Sequence, residues 1–552
     1  MAREYKLYWG DMHAQFNQRW VWRQSQGVRP WATGSDPQRG VRQPAQAGSM
    51  DVIIPEWRGF LEKSFEAARD YLDFFPIVYY PAFFYTTKEG LQVETVGARE
   101  EFGPQWELVN ALVKKHHEPG RFVTFAGYEW TGDRTRWGDH NVFYLDDDQP
   151  LDLSMTIDEL YANLRRRRGI AIPHHTGYLP GMRGKDWDHF DEDLSPFVEV
   201  YSVHGSSEGC DTPIGLVTNG SMAPRVSGGT YQDGLARGYR IGASASGDNA
   251  NGFPGRHGLG LIACYAKELT RGSLWEAFLA RRVYAVTGDR IRLDFRINGH
   301  FMGEVFRAAG PLAIEGRVVG TQALDRIELI KNNRVAATHC HNGSWEIPKR
   351  GKVRLKVQIE HGWGPTARYG LKVGDKKWAG RLKAAKARIV SVEGCFTRQG
   401  QKIMRRSASE CEYKLTTSPR TGAASGECQQ SIVFEIEGGL ESKVWLECEE
   451  ISASFTLREL MASSRCLVMW KQVERNMKEQ FGLRRDEIEN AEDVLYHNAY
   501  KIKVHKAAPE AGYRAALKFK DGSPRRGRNF YYVRVSQLNG QYAWSSPIWV
   551  ER

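Results

Sequence analysis

The sequence predicts an α/β part followed by an all-β part. Short apolar strands alternate with amphipathic helices up to about residue 290, the pattern of an α/β barrel or layered sheet. From about residue 291 the 3.6-residue period gives way to alternation of period two, read as a β-sandwich. Nine of the fifteen histidines lie before residue 291, which places the chemistry in the first part.

The first stretch is Leu7-Tyr-Trp-Gly-Asp-Met-His-Ala-Gln15: an apolar run that stops at Gly10 and turns polar. Alternate residues of a strand share a face, so Asp11, His13 and Gln15 point one way at its end. Residues 17–50 are polar, lack periodicity and read as a long loop or lid. A helix over Trp57 to Leu72 and an apolar run from Phe74 to Tyr80 follow. Gln105 to His117 has helical spacing, and Arg121 to Trp130 is a strand carrying Glu129 near its end. Next come Asp139 to Tyr144, a helix over Thr156 to Arg168, and strands ending on His174-His175, His204 and Asp248. An amphipathic helix from Leu269 to Arg282 closes the α/β part. The expected boundary therefore divides 1–290 from 291–552.

In the second part, alternation recurs over Ile291 to Ile297, Leu312 to Val319, Arg326 to Lys331, Val353 to Ile359, Ser431 to Ile436, Lys443 to Glu447 and Asn529 to Val535. Asn539-Gly540 marks a hairpin between two alternating segments. A charged stretch near 467–500 interrupts the strands as a helical insertion.

Composition narrows the function classes. With 41% hydrophobic and 26% charged residues, the 552-residue chain reads as globular and multidomain. The net charge of +11 suits a small anionic substrate. No basic run interleaved with aromatics marks a nucleic-acid groove, so no nucleic acid is expected. The densest basic run, Arg165 to Arg168, ends a helix and complements its C-terminus. Eight scattered cysteines without a C-x-x-C argue against a thiolate zinc site or a disulfide scaffold. No leader-like or membrane-spanning apolar stretch stands out. A cytoplasmic protein, not bound to membrane and able to form a homo-oligomer, is the expectation.

The polar strand ends collect His13, Gln15, Glu129, His140, His174, His175, His204 and Asp248. Neutral imidazoles with carboxylates are ligands for zinc, iron or manganese. No H-x-x-x-H pair occurs locally, so such a site has to be assembled from several strands.

These pieces resemble the PHP (polymerase and histidinol phosphatase) superfamily and, within it, the DUF3604 group. The resemblance rests on GDMHAQ at 10–15, GYEW at 127–130, DHNVFY at 139–144, IPHHTGY at 172–178, VEVYSVHGSSEG at 198–209 and SGDNANGFPG at 246–255. The closing stretches 268–291 and 530–551 fit as well. The resemblance implies a distorted (β/α)7 barrel with metals at its strand ends and hydrolysis by an activated water. It implies metal ligation by His13, Glu129, His140, His174 and Asp248, with His175 as the alternative neighbour. Three positions depart from the pattern: Gln15 replaces a histidine, Tyr79-Tyr80-Pro81 stands for the usual T-D-H with a ligand lost at Tyr80, and the D-x-H reads Asp248-Asn249-Ala250. One or two divalent metals (zinc, manganese or iron) are therefore expected, not three, with Gln15 as a weak amide ligand. Asp11 or Asp248 is a candidate to orient the water, His204 and His257 to protonate a leaving group, and Arg256 to clamp a phosphate.

Two rival readings remain open. Gly205-Ser-Ser-Glu-Gly209 satisfies G-x-S-x-G after a strand, the mark of a serine hydrolase. The degraded ligand positions suit a barrel kept for binding alone, and a non-phosphorus substrate is a further possibility for the metal-dependent reading.

Overall fold

The computed structural model describes residues 5–16, 55–81, 83–86, 92–95, 99–216, 225–249, 252–340, 347–365, 373–419, 428–522 and 526–552. The expected loop at 17–50 and Ala250 lie outside the described residues.

Strand Lys6–Gly10 pairs parallel to Phe74–Pro76, which pairs parallel to Val123–Phe125. Each of these chain segments then breaks and continues in a second sheet, as Gln15–Phe16, Val78–Tyr79 and Gly127–Trp130. His140–Tyr144 and Gly169–Pro173 extend that second sheet as antiparallel neighbours. Phe197–Ser202 pairs parallel to Gly242–Ala245 in a third sheet. A parallel bridge from Ala14 to Asn249 links the first and third segments at their polar ends. Among the described residues these pairings draw no closed barrel. The architecture is mixed α/β, with breaks at the positions where strands leave one sheet for another.

Helices follow from local signals. Thr156 caps Ile157–Arg165 in a capping box with Glu159, and the apolar stripe Ile157, Leu160, Tyr161 and Leu164 is buried. Arg166 then donates from Nε to the Ala162 carbonyl (3.2 Å), as expected for a basic run at a helix end.

The expected boundary at residue 290 does not separate two cores. An eleven-stranded sheet crosses it: Val283–Val286 pairs with Tyr542–Ser545, itself paired with Arg528–Gln537. One core cluster runs from Trp9 through Tyr284, Leu293 and Leu324 to Val550. A second core is built on a nine-stranded sheet from about residue 352 to 509, with long strands Lys376–Cys395 and Gln429–Cys448. The period-two alternation is correct for these strands. It carries no information on which sheet a strand joins, so the last strands go home to the first core.

Helices Trp470–Phe481 and Ala491–Asn498 occupy the stretch expected as a helical insertion. No helix among the described residues is long and apolar enough to cross a membrane.

Candidate metal centre

Strand Lys6–Gly10 ends on a glycine that leaves room for the Phe74 ring, which a Cβ there would strike. The chain turns at Asp11, whose Oδ1 accepts from the amides of His13 (3.0 Å) and Gly247 (2.9 Å), and Oδ2 from Gly255 (2.8 Å). Burial pushes the Asp11 carboxyl up, and these amides oppose it. Asp11, expected to orient a water, thus uses its carboxylate to lace the first strand end to the 246–255 loop.

That lacing sets His13 in the interior with no exposed surface. Its Nδ1 lies 3.0 Å from Glu199 Oε2, and its Nε2 lies 3.3 Å from Asp248 Oδ1 and 3.8 Å from Glu129 Oε2 without an aligned hydrogen bond. Burial disfavours the His13 imidazolium, but Asp248 and Glu199 outweigh it and hold the ring well above the ordinary histidine value. The His174 ring stands edge-on to His13 at 4.3 Å, and His175 edge-on to His174 at 4.3 Å.

The donor atoms fall into three adjoining groups, each within 4.8 Å: His13, His174, Glu199 and Asp248; Asp139, His174 and His175; His175, His204 and Asp248. His174 and Asp248 join them. Both ring nitrogens of His174, His13 Nε2, His175 Nδ1 and Glu199 Oε1 are buried without a hydrogen-bond partner in the protein. Leaving such an atom unpaired costs about 1–3 kcal/mol. Burial, then the neighbouring His13, pulls His174 well below its ordinary value, and burial takes His175 down to about 3. Burial opposes ionisation of Asp248, but His13 and His204 win and hold it as a carboxylate. His174 and His175 as neutral imidazoles and Asp248 as a carboxylate are in the states a divalent metal requires, whereas His13 is held protonated by its carboxylate neighbours and would have to release that proton to ligate. The residues present fit a metal.

Backbone strain marks the same place. His175 (φ +35°) and Asp248 (φ +47°) are left-handed non-glycine residues. Such conformations cost on the order of 1–3 kcal/mol each and persist where a site over-determines them.

Several expectations change. Gln15, expected as a weak ligand through its amide oxygen, is placed with Nε2 donating to Glu129 Oε2 (2.6 Å) and Asp248 Oδ1 (3.1 Å). It ties two carboxylates together. Glu129 stands outside the three donor groups: Gln15 takes one oxygen and Arg134 Nη1 the other at 3.0 Å. His140 also stands outside them. Its Nδ1 donates to the Gly138 carbonyl (3.0 Å), leaving Nε2 as a buried lone pair, the tautomer of a metal ligand. Burial, then Lys185, keeps that ring neutral.

His257 is not brought to the cluster. Its Nε2 meets Asp289 Oδ1 at 2.8 Å, in a separate group with Cys395. Arg256 lies partly buried beside it. His204 does reach the cluster, with Nε2 3.2 Å from Asp248 Oδ2 and Nδ1 2.9 Å from the Tyr178 hydroxyl. Tyr80 is buried under the Arg134 guanidinium at 5.5 Å.

Sequence reasoning passed over Glu199, Asp139, Arg134 and Arg183. Glu199 had a signal: an acid inside the apolar run Phe197-Val-Glu-Val has to find a partner when buried. Burial raises its carboxyl to about 7. Asp139 stays ionised against burial because Arg183 grips both oxygens (2.9 and 2.6 Å) and Arg134 lies at 3.1 Å. Nothing in the spacing of these residues shows that they meet.

The serine-hydrolase reading finds no elbow. Gly205–Ser206 is a short strand antiparallel to Tyr201-Ser202, and Ser207 Oγ accepts from the Gly177 amide at 3.1 Å. Glu208 in this motif is buried and receives Arg534 Nη1 on both oxygens (3.0 Å each), the Tyr532 hydroxyl (2.8 Å) and Trp544 Nε1 (2.8 Å).

A mixed α/β scaffold holding a buried histidine–carboxylate cluster is the class these features define. Residues 75–182 and 240–312 match a family model described as a protein of unknown function, DUF3604. The chain is 29% identical over 263 residues to an uncharacterized protein of Chlamydia pneumoniae, a match over 44% of this chain and 42% of that protein. An uncharacterized protein of Chlamydia muridarum is 27% identical over 281 residues, covering 47% of this chain and 43% of its own length. The chain thus spans less than half the length of these curated relatives. Among solved structures, a two-domain protein from Bacteroides vulgatus, described as containing a predicted PHP-like metal-dependent phosphoesterase, aligns with a TM-score of 0.30. The alignment has 11% identity and covers 82% of this chain and 95% of that one.

Proposed function

We propose that the chain is a metal-dependent hydrolase of the PHP type, built on a distorted, incompletely paired (β/α)7 arrangement and acting on a small anionic ester, most simply a phosphoester. One observation carries this reading: His13, His174, Glu199 and Asp248 converge in the interior, with ligand atoms that no protein group satisfies. His13, His174, Asp248 and either Glu199 or His175 would hold the first of one or two zinc, manganese or iron ions, with His140 the candidate beyond them. Such an ion supplies Lewis acidity and lowers the pKa of a water molecule.

The residues around it do the rest. Glu199 orients His13 through Nδ1, as carboxylates commonly do for a liganding imidazole. His204 sits at the rim, its side chain 15% exposed, with Tyr178 fixing Nδ1 and Nε2 turned to Asp248. This partly exposed position beside Asp248 supports a role for His204 in carrying a proton to a leaving group. Arg256 is retained as a candidate anion clamp, while the pairing of His257 with Asp289 removes it from the proposed machinery.

Elemental analysis of protein purified without chelator or added metal tests this reading. About one to two equivalents of metal, lost in His174→Ala together with hydrolysis of a p-nitrophenyl phosphate ester, is the expected result. No metal on isolation and none on back-titration overturns it.

A second reading has its own support. Gln15 donates to two carboxylates and Arg134 to Glu129, so part of the cluster is already satisfied internally. A scaffold that binds without catalysis fits that feature, and a metal-free protein in the same analysis favours it. Metal binding with no phosphoesterase activity points to a non-phosphorus substrate.

A further inference from the structure

The buried carboxylates of the centre lie on two sides that the protein treats differently. On one side, His13, His174, Glu199 and Asp248 carry donor atoms that no protein group satisfies. On the other, Glu129 and Asp139 are fully buried, and each of their oxygens already has a donor.

Those donors are two guanidiniums and one amide. Arg134 Nη1 stands between the two carboxylates, 3.0 Å from Glu129 Oε1 and 3.1 Å from Asp139 Oδ1. Arg183 closes on Asp139 with Nε (2.9 Å) and Nη2 (2.6 Å), and Gln15 Nε2 takes the remaining Glu129 oxygen at 2.6 Å. Imidazoles of the first side reach this one as well. His174 Nε2 lies 3.9 Å from Glu129 Oε1, and His175 Nε2 lies 3.8 Å from Asp139 Oδ2. Two carboxylates and two imidazoles are a ligand set in kind, yet a cation of the protein's own is already among them.

Local structure holds that cation in place. Arg134 opens the short helix Arg134–Trp137, whose N-cap Asp133 accepts from the Arg136 amide at 3.3 Å. The Arg134 side chain is buried, with the Tyr80 ring 5.5 Å from its Cζ. A guanidinium keeps its charge at every working pH, so it cannot make way for an ion by losing a proton, as a lysine could. A divalent ion set between Glu129 and Asp139 would meet that charge at contact distance.

We propose that the Arg134 guanidinium, with Arg183 behind it, takes the place of a second metal ion, so that the centre holds one divalent ion on the side of His13, His174 and Asp248. The proposal rests on the metal-dependent reading above and fixes the number of ions within it. Arg134 is a positioning residue: it holds Glu129 and Asp139 together without a metal.

Titration of the full chain with manganese(II), followed by electron paramagnetic resonance, tests it. The wild type is expected to saturate at about one equivalent with the spectrum of an isolated ion, whereas two ions about 4 Å apart would be spin-coupled. Arg134→Ala frees Glu129 Oε1 and opens room beside it, so it should take up about two equivalents and show the coupled spectrum. Arg134→Lys restores a cation and should return to about one equivalent. A wild type that binds two coupled ions overturns the proposal and leaves the metal-dependent reading standing. So does an Arg134→Ala protein, folded by circular dichroism, that stays at one ion, or an Arg134→Lys protein that takes two. A wild type that binds no manganese overturns both. Were Arg134→Ala not to fold, the count and spectrum of the wild type would still decide.

Discussion

At the scale of single residues, the cluster depends on groups that orient others. Glu199 holds His13 by Nδ1 and has a free Oε1. Glu199→Gln preserves shape but removes the charge that offsets a bound cation. Metal affinity, measured by chelator competition, is expected to fall about 10–100-fold with the circular dichroism spectrum intact. Unchanged affinity would make Glu199 a bystander. The cluster was legible as residue types at strand ends: His13, His174, His175, His204 and Asp248 do meet. What could not be read was each atom's occupation. Asp11 is used up by backbone amides, Gln15 presents its nitrogen, and His257 turns to Asp289. Those outcomes depend on which loops meet, and loops far apart in sequence leave no local periodicity.

At the scale of elements, strand Lys352–Gly362 shows how a sheet turns a side chain into a pH liability. His361 is fully buried, with Nε2 2.9 Å from the Tyr413 hydroxyl. Burial lowers its pKa to about 3 from an unfolded value near 6.5. The unfolded chain therefore binds the proton first as pH falls. The stabilisation is complete above about pH 6.5 and drains by about 1.4 kcal/mol per unit as pH drops toward the folded value. Urea denaturation of wild type against His361→Gln should show their stability difference shrinking by about 2 kcal/mol between pH 6.5 and 5. A constant difference would mean that His361 is not buried as a neutral ring. Elements themselves were legible where periodicity and caps agree, as in Ile157–Arg165 and the hairpin of Arg528–Gln537 with Tyr542–Ser545. Helix Arg99–His116 begins earlier than its spacing suggested, because Pro104 interrupts the pattern that marks a helix start.

At the scale of the molecule, the two parts are held by a buried charge junction. Arg534 is gripped by Glu208 and by Glu328, whose Oε2 lies 2.8 Å from Nε. Arg534→Met strands two carboxylates in the interior and should cost about 3–5 kcal/mol by chemical denaturation. Adding Glu208→Gln and Glu328→Gln should recover part of that loss. An unaltered midpoint in the single variant would sink the junction as a stabilising feature. The division at residue 290 was the least legible feature. Composition and periodicity do change there, yet strands of both parts alternate in the same way, and only long-range pairing reveals that they share one sheet.

That shared sheet has a consequence for the order of events during synthesis. Val283–Val286 waits for Tyr542–Ser545, and Glu208 waits for Arg534. The nascent chain must hold an open strand edge while about 255 further residues emerge and an unneutralised acid while about 325 do, on the order of 10–65 s at typical elongation rates. Edges of that kind invite pairing with other chains. The intervening nine-stranded sheet, with its own core, can fold during that interval, leaving docking of the last strands as the late step that seals the candidate site's scaffold.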